Sequence, residues 1–306
     1  NYLNQRRSVK INGKKTSGAA VARHFSSVLF SPESLAVIKD SDKERRDLID
    51  ELILSVYVEK AVYVEDYKKL LKQRNKHLRD IADGSAINDA KNKIYLETLT
   101  QKFLESATEL TIARIGAMKR LLPQLKEAFG YVQNTEAVDI AVDYVVSGQS
   151  MMNFTKENVY NAMYKRWLQL SAAETQCGYS LVGPHKHDIR VLLDGNDSRY
   201  YCSQGQQRLL ILAFKMAQIG LHFSVHGVYP ILLLDDVLSE LDEQKKIRLV
   251  EYLNSIDAQI FITTAERSVL SYLDVNKMAI YEVKNGEFNN SSQIKKLELG
   301  QEEIGG

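Results

Sequence analysis

The chain has 306 residues, enough for two compact lobes or for one large domain carrying an insertion. Lys and Arg number 40 against 39 Asp and Glu, a balance that neither requires nor excludes a nucleic acid partner, while two isolated cysteines exclude a disulfide framework or a zinc cluster. With no uninterrupted apolar run near the roughly 18 residues of a membrane span, and no signal-peptide pattern at its start, the chain is expected in a reducing cytoplasm, away from membranes.

The charge is unevenly spread. No acidic residue precedes Glu33, whereas Arg6, Arg7, Lys10, Lys14, Lys15 and Arg23 all do. Residues 8–30 read as short strands, with Val9 and Ile11 alternating up to an Asn12-Gly13 hairpin turn and an apolar run over Ser27-Val28-Leu29-Phe30. From Ser41 to Tyr131 the spacing is helical, broken at Gly84-Ser85. Strand alternation returns at Val138, Ile140, Val142 and Tyr144. A helix follows over Thr155–Ala173, and alternation at Ile189, Val191 and Leu193 leads into a turn at 194–197. The last third predicts a helix from Ser203, a strand over Ile231–Leu234, a helix from Glu243, a strand over Gln259–Thr263, a helix from Glu266 and a hairpin at Asn285-Gly286. Strand–helix alternation with continuous apolar strands predicts a buried parallel sheet. The expected division is a β-rich segment over 1–40, an inserted helical lobe over 41–134, a strand–helix lobe over 135–288 and a loose polar tail over 289–306.

Two motifs carry chemistry. In Ile231-Leu232-Leu233-Leu234-Asp235-Asp236, four aliphatics suit a strand covered on both faces, and two acids stand at its C-terminal end, where open α/β sheets bind ligands. Adjacent carboxylates repel one another unless a cation is present, and magnesium on nucleotide phosphates supplies one. Upstream, Ser203-Gln204-Gly205-Gln206-Gln207-Arg208 opens a helix that is apolar almost all round. Ser is a preferred N-cap, Gly205 permits close backbone approach, and the positive end of a buried helix suits phosphate.

In this order the two motifs resemble an ABC-type ATPase head, an α/β P-loop NTPase fold with an inserted helical lobe. Leu238-Ser239-Glu240-Leu241-Asp242 resembles its D-loop, and Thr263-Thr264 stands where many such heads place a histidine. The chain as a whole resembles the RecF family. Its markers are Leu29-Phe30-Ser31-Pro32-Glu33, Arg45-Arg46 with Asp50, Lys72-Gln73-Arg74-Asn75, Gly183-Pro184-His185-Lys186, the Ser203–Arg208 signature, Asp235–Asp242 and Thr263-Thr264. Where the family runs Arg-Asp-Asp after Gly-Pro-His, Lys186-His187-Asp188 stands here, and Asp188 is favoured over His187 as the functional position.

The resemblance implies ATP and Mg2+ as cofactors and a slow ATPase that dimerises on ATP. Asp235 would hold the metal and Asp236 the attacking water. Ser203, Gln204, Gly205 and Gln206 would contact a nucleotide held by the opposite subunit, with Thr263 at the γ-phosphate and Ser239 and Asp242 coupling the two sites. It implies binding of single- and double-stranded DNA, RecR and RecO as partners, and loading of RecA at gaps and junctions. Candidate DNA contacts are the basic start and the cluster Lys68, Lys69, Lys72, Arg74, Lys76 and Arg79. No Gly-x-x-x-x-Gly-Lys-[Ser/Thr] occurs; Gly13-Lys14-Lys15-Thr16 is a hairpin rather than a phosphate loop. The expectation is therefore a chain whose natural start lies upstream and which is inactive alone. The alternatives are another SMC- or Rad50-like head, or a nucleotide-free scaffold. His24, His77, His185, His187, His222 and His226 show no metal-ligand spacing, and Trp167 reads as a core residue.

Overall fold

The structure, a computed structural model, describes residues 9–16, 25–32, 41–85, 90–134, 138–265, 267–274 and 278–290. Arg6, Arg7, Ser8, Arg23, His24, Glu33, Glu266 and residues 291–306 of the tail lie outside the described residues.

Four strand pairs close through two-residue turns. β1 (Val9–Ile11) meets β2 (Lys14–Thr16) through Asn12-Gly13. β4 (Ile140–Val146) meets β5 (Gln149–Ser150) through Ser147-Gly148, and β6 (Asp188–Leu193) meets β7 (Asn196–Asp197) through Asp194-Gly195. β10 (Tyr281–Lys284) meets β11 (Glu287–Asn290) through Asn285-Gly286. In all four turns both residues have positive φ, the geometry that matches the twist of a hairpin and explains the recurrent glycine in second place.

β4 and β6 pair antiparallel at the centre of a four-stranded sheet in the order β5-β4-β6-β7. A separate parallel sheet runs β3 (Ser27–Phe30), β8 (Ile231–Asp235), β9 (Ile260–Thr263), with β8 in the middle. One face of this sheet is core: Val28, Phe30 and Leu232 are fully buried and Leu234 nearly so. The other face departs from the expectation of a strand covered on both sides. Among the described residues nothing closes over it, and Leu29 and Phe261 remain 45% and 53% exposed. The described helices pack against the Val28 and Leu232 side, so the continuous aliphatic run of β8 is half used.

The helices are α1 (Asp42–Val56), α2 (Ala61–Ala82), α3 (Ala90–Gln133), α4 (Lys156–Cys177), a single turn α5 (Ser198–Tyr201), α6 (Gln204–His226) and α7 (Glu243–Ser255). After β9 a 3-10 turn over Arg267–Tyr272 takes the place of the helix predicted from Glu266. At 44 residues, α3 extends about 66 Å at 1.5 Å per residue. It packs along α6 at one end and along α2 and α4 at the other, and also meets β4, so one long helix joins the helical region to the core helix and the four-stranded sheet.

α6 is the core helix. It is long and apolar enough to cross a bilayer, but 72% of its most apolar stretch is buried inside the protein. Leu210, Ile211, Leu212, Ala213 and Ile219 are at most 1% exposed. Truncating one of the large aliphatics costs about 2–5 kcal/mol in such a setting. On the α1 side Lys215 Nζ pairs with Glu51 at 2.8 Å and Gln218 Nε2 donates to Ser55 Oγ at 2.9 Å, while the buried Gln218 Oε1 has no partner.

Candidate functional site

β8 delivers Asp235 and Asp236 to the C-terminal edge of the parallel sheet, next to the end of β9. Asp235 Oδ1 accepts a hydrogen bond from the Thr263 hydroxyl at 2.5 Å. Asp236 adopts a left-handed backbone, φ 50° and ψ 23°, which is uncommon outside glycine and costs energy. It is clamped on both sides: its N–H donates to the Thr263 carbonyl at 3.1 Å, and its own carbonyl accepts from Ser239 Oγ at 2.7 Å. One carboxylate oxygen, Oδ1, is buried with no partner. A strained residue held in place, with a buried acceptor left unsatisfied, is prepared for a ligand or a water.

The second predicted element builds as a capping box. Ser203 Oγ accepts from the Gln206 N–H at 3.2 Å, and Gln206 Oε1 accepts from the Ser203 N–H at 2.9 Å, so the polar pair that reads as a signature also starts α6. The Gly205 Cβ position is open, its nearest neighbour being Ser203 Oγ at 3.9 Å. Packing therefore does not demand this glycine, and glycine costs a helix roughly 1 kcal/mol against alanine. Tyr200 and Tyr201 stand 76% and 73% exposed beside this loop, with the Arg199 guanidinium over the Tyr200 ring.

The predicted site residues thus form two bonded groups. Asp235, Asp236, Ser239 and Thr263 make one, and Ser203 with Gln206 makes the other. Arg208 Nη1 of α6 reaches Glu240 Oε2 at 2.9 Å and links the signature helix to the 3-10 turn that follows Asp236. Both side chains are partly exposed, so the pair fixes position more than it adds stability. Both residues stand inside the sequence motifs, which carry no sign of this link. Asp242 is the N-cap of α7, accepting from the Lys245 N–H at 3.1 Å.

The other markers converge on a buried polar seam rather than on the acid pair. Asp188 pairs with Arg45 at 2.8 Å and Arg199 at 2.9 Å. Arg114 donates to both oxygens of Asp50, at 2.8 and 3.1 Å, and to the Pro184 carbonyl at 2.9 Å. Since His185 Nε2 faces the Ser180 carbonyl, Nε2 carries the proton and Nδ1 accepts from the Tyr67 hydroxyl at 2.5 Å. Burial, then the nearby Lys186, Arg46 and Arg74, push the His185 imidazole down to about 4. His187 is likewise buried and held neutral, bonded to Tyr144. Gly183, at φ +129°, leaves no room for a side chain: an added Cβ would lie 2.7 Å from the Tyr67 hydroxyl.

Arg74 corrects the expected basic stripe. It is 1% exposed and bound to Glu174 Oε2 at 2.6 Å, Ser180 Oγ at 2.7 Å and Thr100 Oγ1 at 3.1 Å. On α2 it lies on the same face as the buried Tyr67 and Leu78, i−7 and i+4 from it, while Lys68, Lys69, Lys72, Lys76 and Arg79 stay exposed.

Residues 1–289 match the family described as RecF/RecN/SMC N terminal domain. The DNA replication and repair protein RecF of Lactobacillus acidophilus is 32% identical over 263 residues, 86% of this chain and 68% of that protein. RecF of Geobacillus kaustophilus is 33% identical over 266 residues, covering 86% and 69%. Among solved structures, the recombination mediator protein RecF-ATPrS of the RecFOR pathway superposes with a TM-score of 0.79 at 25% identity, over 95% of this chain and 74% of that one. RecF-ATP gives 0.74 at 26% identity, over 94% and 73%. The chain belongs to the RecF family of DNA replication and repair proteins, built on the P-loop head of the ABC-type ATPases.

Proposed function

We propose that this chain carries the signature, Ser203–Arg208, and the acid-tipped strand, Ile231–Asp236, of an ATP-controlled DNA-binding switch of recombinational repair. In this reading ATP closes two copies on DNA and slow hydrolysis releases them. The family's activity would be loading of RecA at single-strand gaps and junctions, with RecR and RecO as partners. The observation that carries the reading is Asp236, strained, clamped at both ends and left with a buried free oxygen at the edge of the parallel sheet.

The residues present fit Mg2+-ATP. Two carboxylates at a strand end offer hard oxygen donors, and no group of three or more His, Cys, Asp or Glu converges among the described residues. That suits magnesium, which takes one or two protein carboxylates and completes its shell with phosphate and water. Bound there, it would neutralise phosphate charge and the repulsion between the two acids. Asp235, which accepts from the Thr263 hydroxyl, would bind the metal, and Asp236 would orient a water and accept its proton. Ser203, Gln204, Gly205 and Gln206, at the positive end of α6, face outward to a nucleotide carried by a second copy. Tyr200 and Tyr201 widen that contact surface, and Ser239, bonded to the Asp236 carbonyl, and Asp242, the N-cap of α7, would couple the two sites.

Sedimentation of the full-length protein with and without ATP tests this reading. The wild type should move from monomer to dimer on ATP. Ser203→Arg, which puts a long cation on the contact surface and removes a cap worth about 1 kcal/mol, should stay monomeric while remaining folded. Equal dimerisation of the two proteins would remove Ser203 from the site.

A further inference from the structure

We propose that the seam between α2 and residues 178–187 is a track for the phosphate backbone of nucleic acid, running from Arg79 past Lys72 and Lys68 to Lys186 and Arg46. The inference rests on the DNA-binding reading above and assigns a surface to it.

Three contacts lay the 178–187 segment along α2. Gly178 abuts the backbone of Arg79, with its Cβ position 3.3 Å from the Arg79 Cα. The Ser180 N–H donates to Asn75 Oδ1 at 2.8 Å. The Tyr67 hydroxyl meets His185, the chain neighbours of that pair being Lys68 and Lys186. From Tyr67 to Arg79 the helix advances about 18 Å, the span of roughly five phosphates of one strand at 3.4 Å each.

The cations on this path keep their charge at the surface, although Lys68 Nζ also lies 3.8 Å from Asp50 Oδ2. The Lys68 side chain is 60% exposed, and Lys72, Arg79 and Lys186 are exposed as well. A tight turn, Lys186 N–H to the Gly183 carbonyl at 2.9 Å, and the Tyr179 ring beneath its ammonium, hold Lys186. Arg46 is fixed by the His187 carbonyl at 2.6 Å. Asp50, the acid at this seam, is 3% exposed with both oxygens taken by Arg114, so it offsets little of the surface charge. Lys72 and Arg79 also line a concavity on α2 together with Lys69 and Lys76, and Asp80 and Asp83 share it, so two acids stand beside four cations at the Arg79 end of the path. His185 and His187 are kept neutral by burial and so add hydrogen-bonding rigidity without titrating near pH 7. An ordered row of cations that reaches no base-reading motif fits a polyanion of regular spacing, bound through its backbone.

The experiment is binding of full-length protein to a fluorescent duplex and to the matching single strand, from 0.05 to 0.3 M salt. Lys72→Ala/Lys186→Ala should weaken binding about 10- to 30-fold near 0.15 M salt and lower the slope of log K against log salt by about 1.8 on the duplex and about 1.4 on the single strand. Lys165→Ala/Lys284→Ala, on exposed positions elsewhere, should match the wild type. If the wild type binds DNA and the seam variant keeps both affinity and slope, the track is wrong while the DNA-binding reading stands. If the wild type binds neither nucleic acid, that reading fails and takes the track with it. Loss of binding to an acidic peptide with unchanged DNA binding would assign the seam to a protein partner and overturn the proposal.

Discussion

Asp236→Asn in the full-length protein should lower ATP hydrolysis by about 10²–10⁴-fold, the contribution of a positioned general base, while leaving ATP-driven dimerisation intact. The substitution is nearly isosteric. The left-handed backbone survives it, because Asn tolerates positive φ as well as Asp does. The clamps from Thr263 and Ser239 use backbone atoms of residue 236 and are untouched. What changes is the carboxylate oxygen that the fold leaves buried and unpaired, and with it the capacity to accept a proton. ATP should then still close the pair but not be consumed, so the dimer persists after free ATP is removed. Steady-state phosphate release together with dimer lifetime reads both consequences. Hydrolysis within about twofold of wild type would take the catalytic role away from Asp236.

Arg74→Ala should be the most destabilising single change in the helical region, at about 3–5 kcal/mol by urea or thermal denaturation. Domains of this kind hold only about 5–15 kcal/mol in all, so the variant should lie near its unfolding threshold. The cost comes from what is left behind. Glu174 is fully buried, and its other oxygen is committed to the N–H groups of Leu181 and Val182, at 2.6 and 3.2 Å. Without the guanidinium its charge has no counterion, and Ser180 and Thr100 also lose a donor. Arg74→Lys should recover only part of the loss, since one ammonium does not reproduce a planar fork spread over three partners. Arg74→Ala within about 1 kcal/mol of wild type would mean the seam is not the joint described here.

Much of this was legible in the residues. Asn12-Gly13 and Asn285-Gly286 turned where predicted, the helix from Ser203 is the buried one, and β8 ends in its two acids, because these depend on local turn chemistry, capping and apolar spacing. What was not legible depends on partners distant in sequence. Arg74 read as one of six cations in a row, yet its carboxylate stands 100 positions away and its place on the apolar face of α2 was the available sign. Asp188, favoured over His187 as the functional position, is shared between Arg45 and Arg199 in the seam, partners that its own segment does not reveal. The open face of the parallel sheet, with Phe261 exposed, was equally hidden, since an aliphatic run shows which residues favour burial and not what covers them. The strain at Asp236 also had no local signature: an aspartate after four aliphatics reads the same in either backbone conformation.

The central claim is that the signature of one copy completes the nucleotide site of another, and mixing two inactive variants tests it most directly. Ser203→Arg alone should not dimerise, and Asp236→Asn alone should dimerise without hydrolysis. In a mixture, one interface joins the intact Asp236 of the first protein to the intact Ser203 of the second. ATP hydrolysis should reappear there, rising with the proportion of mixed pairs to a maximum near equal amounts. Hydrolysis that stays at the sum of the two separate variants at every ratio would contradict a site built across two copies.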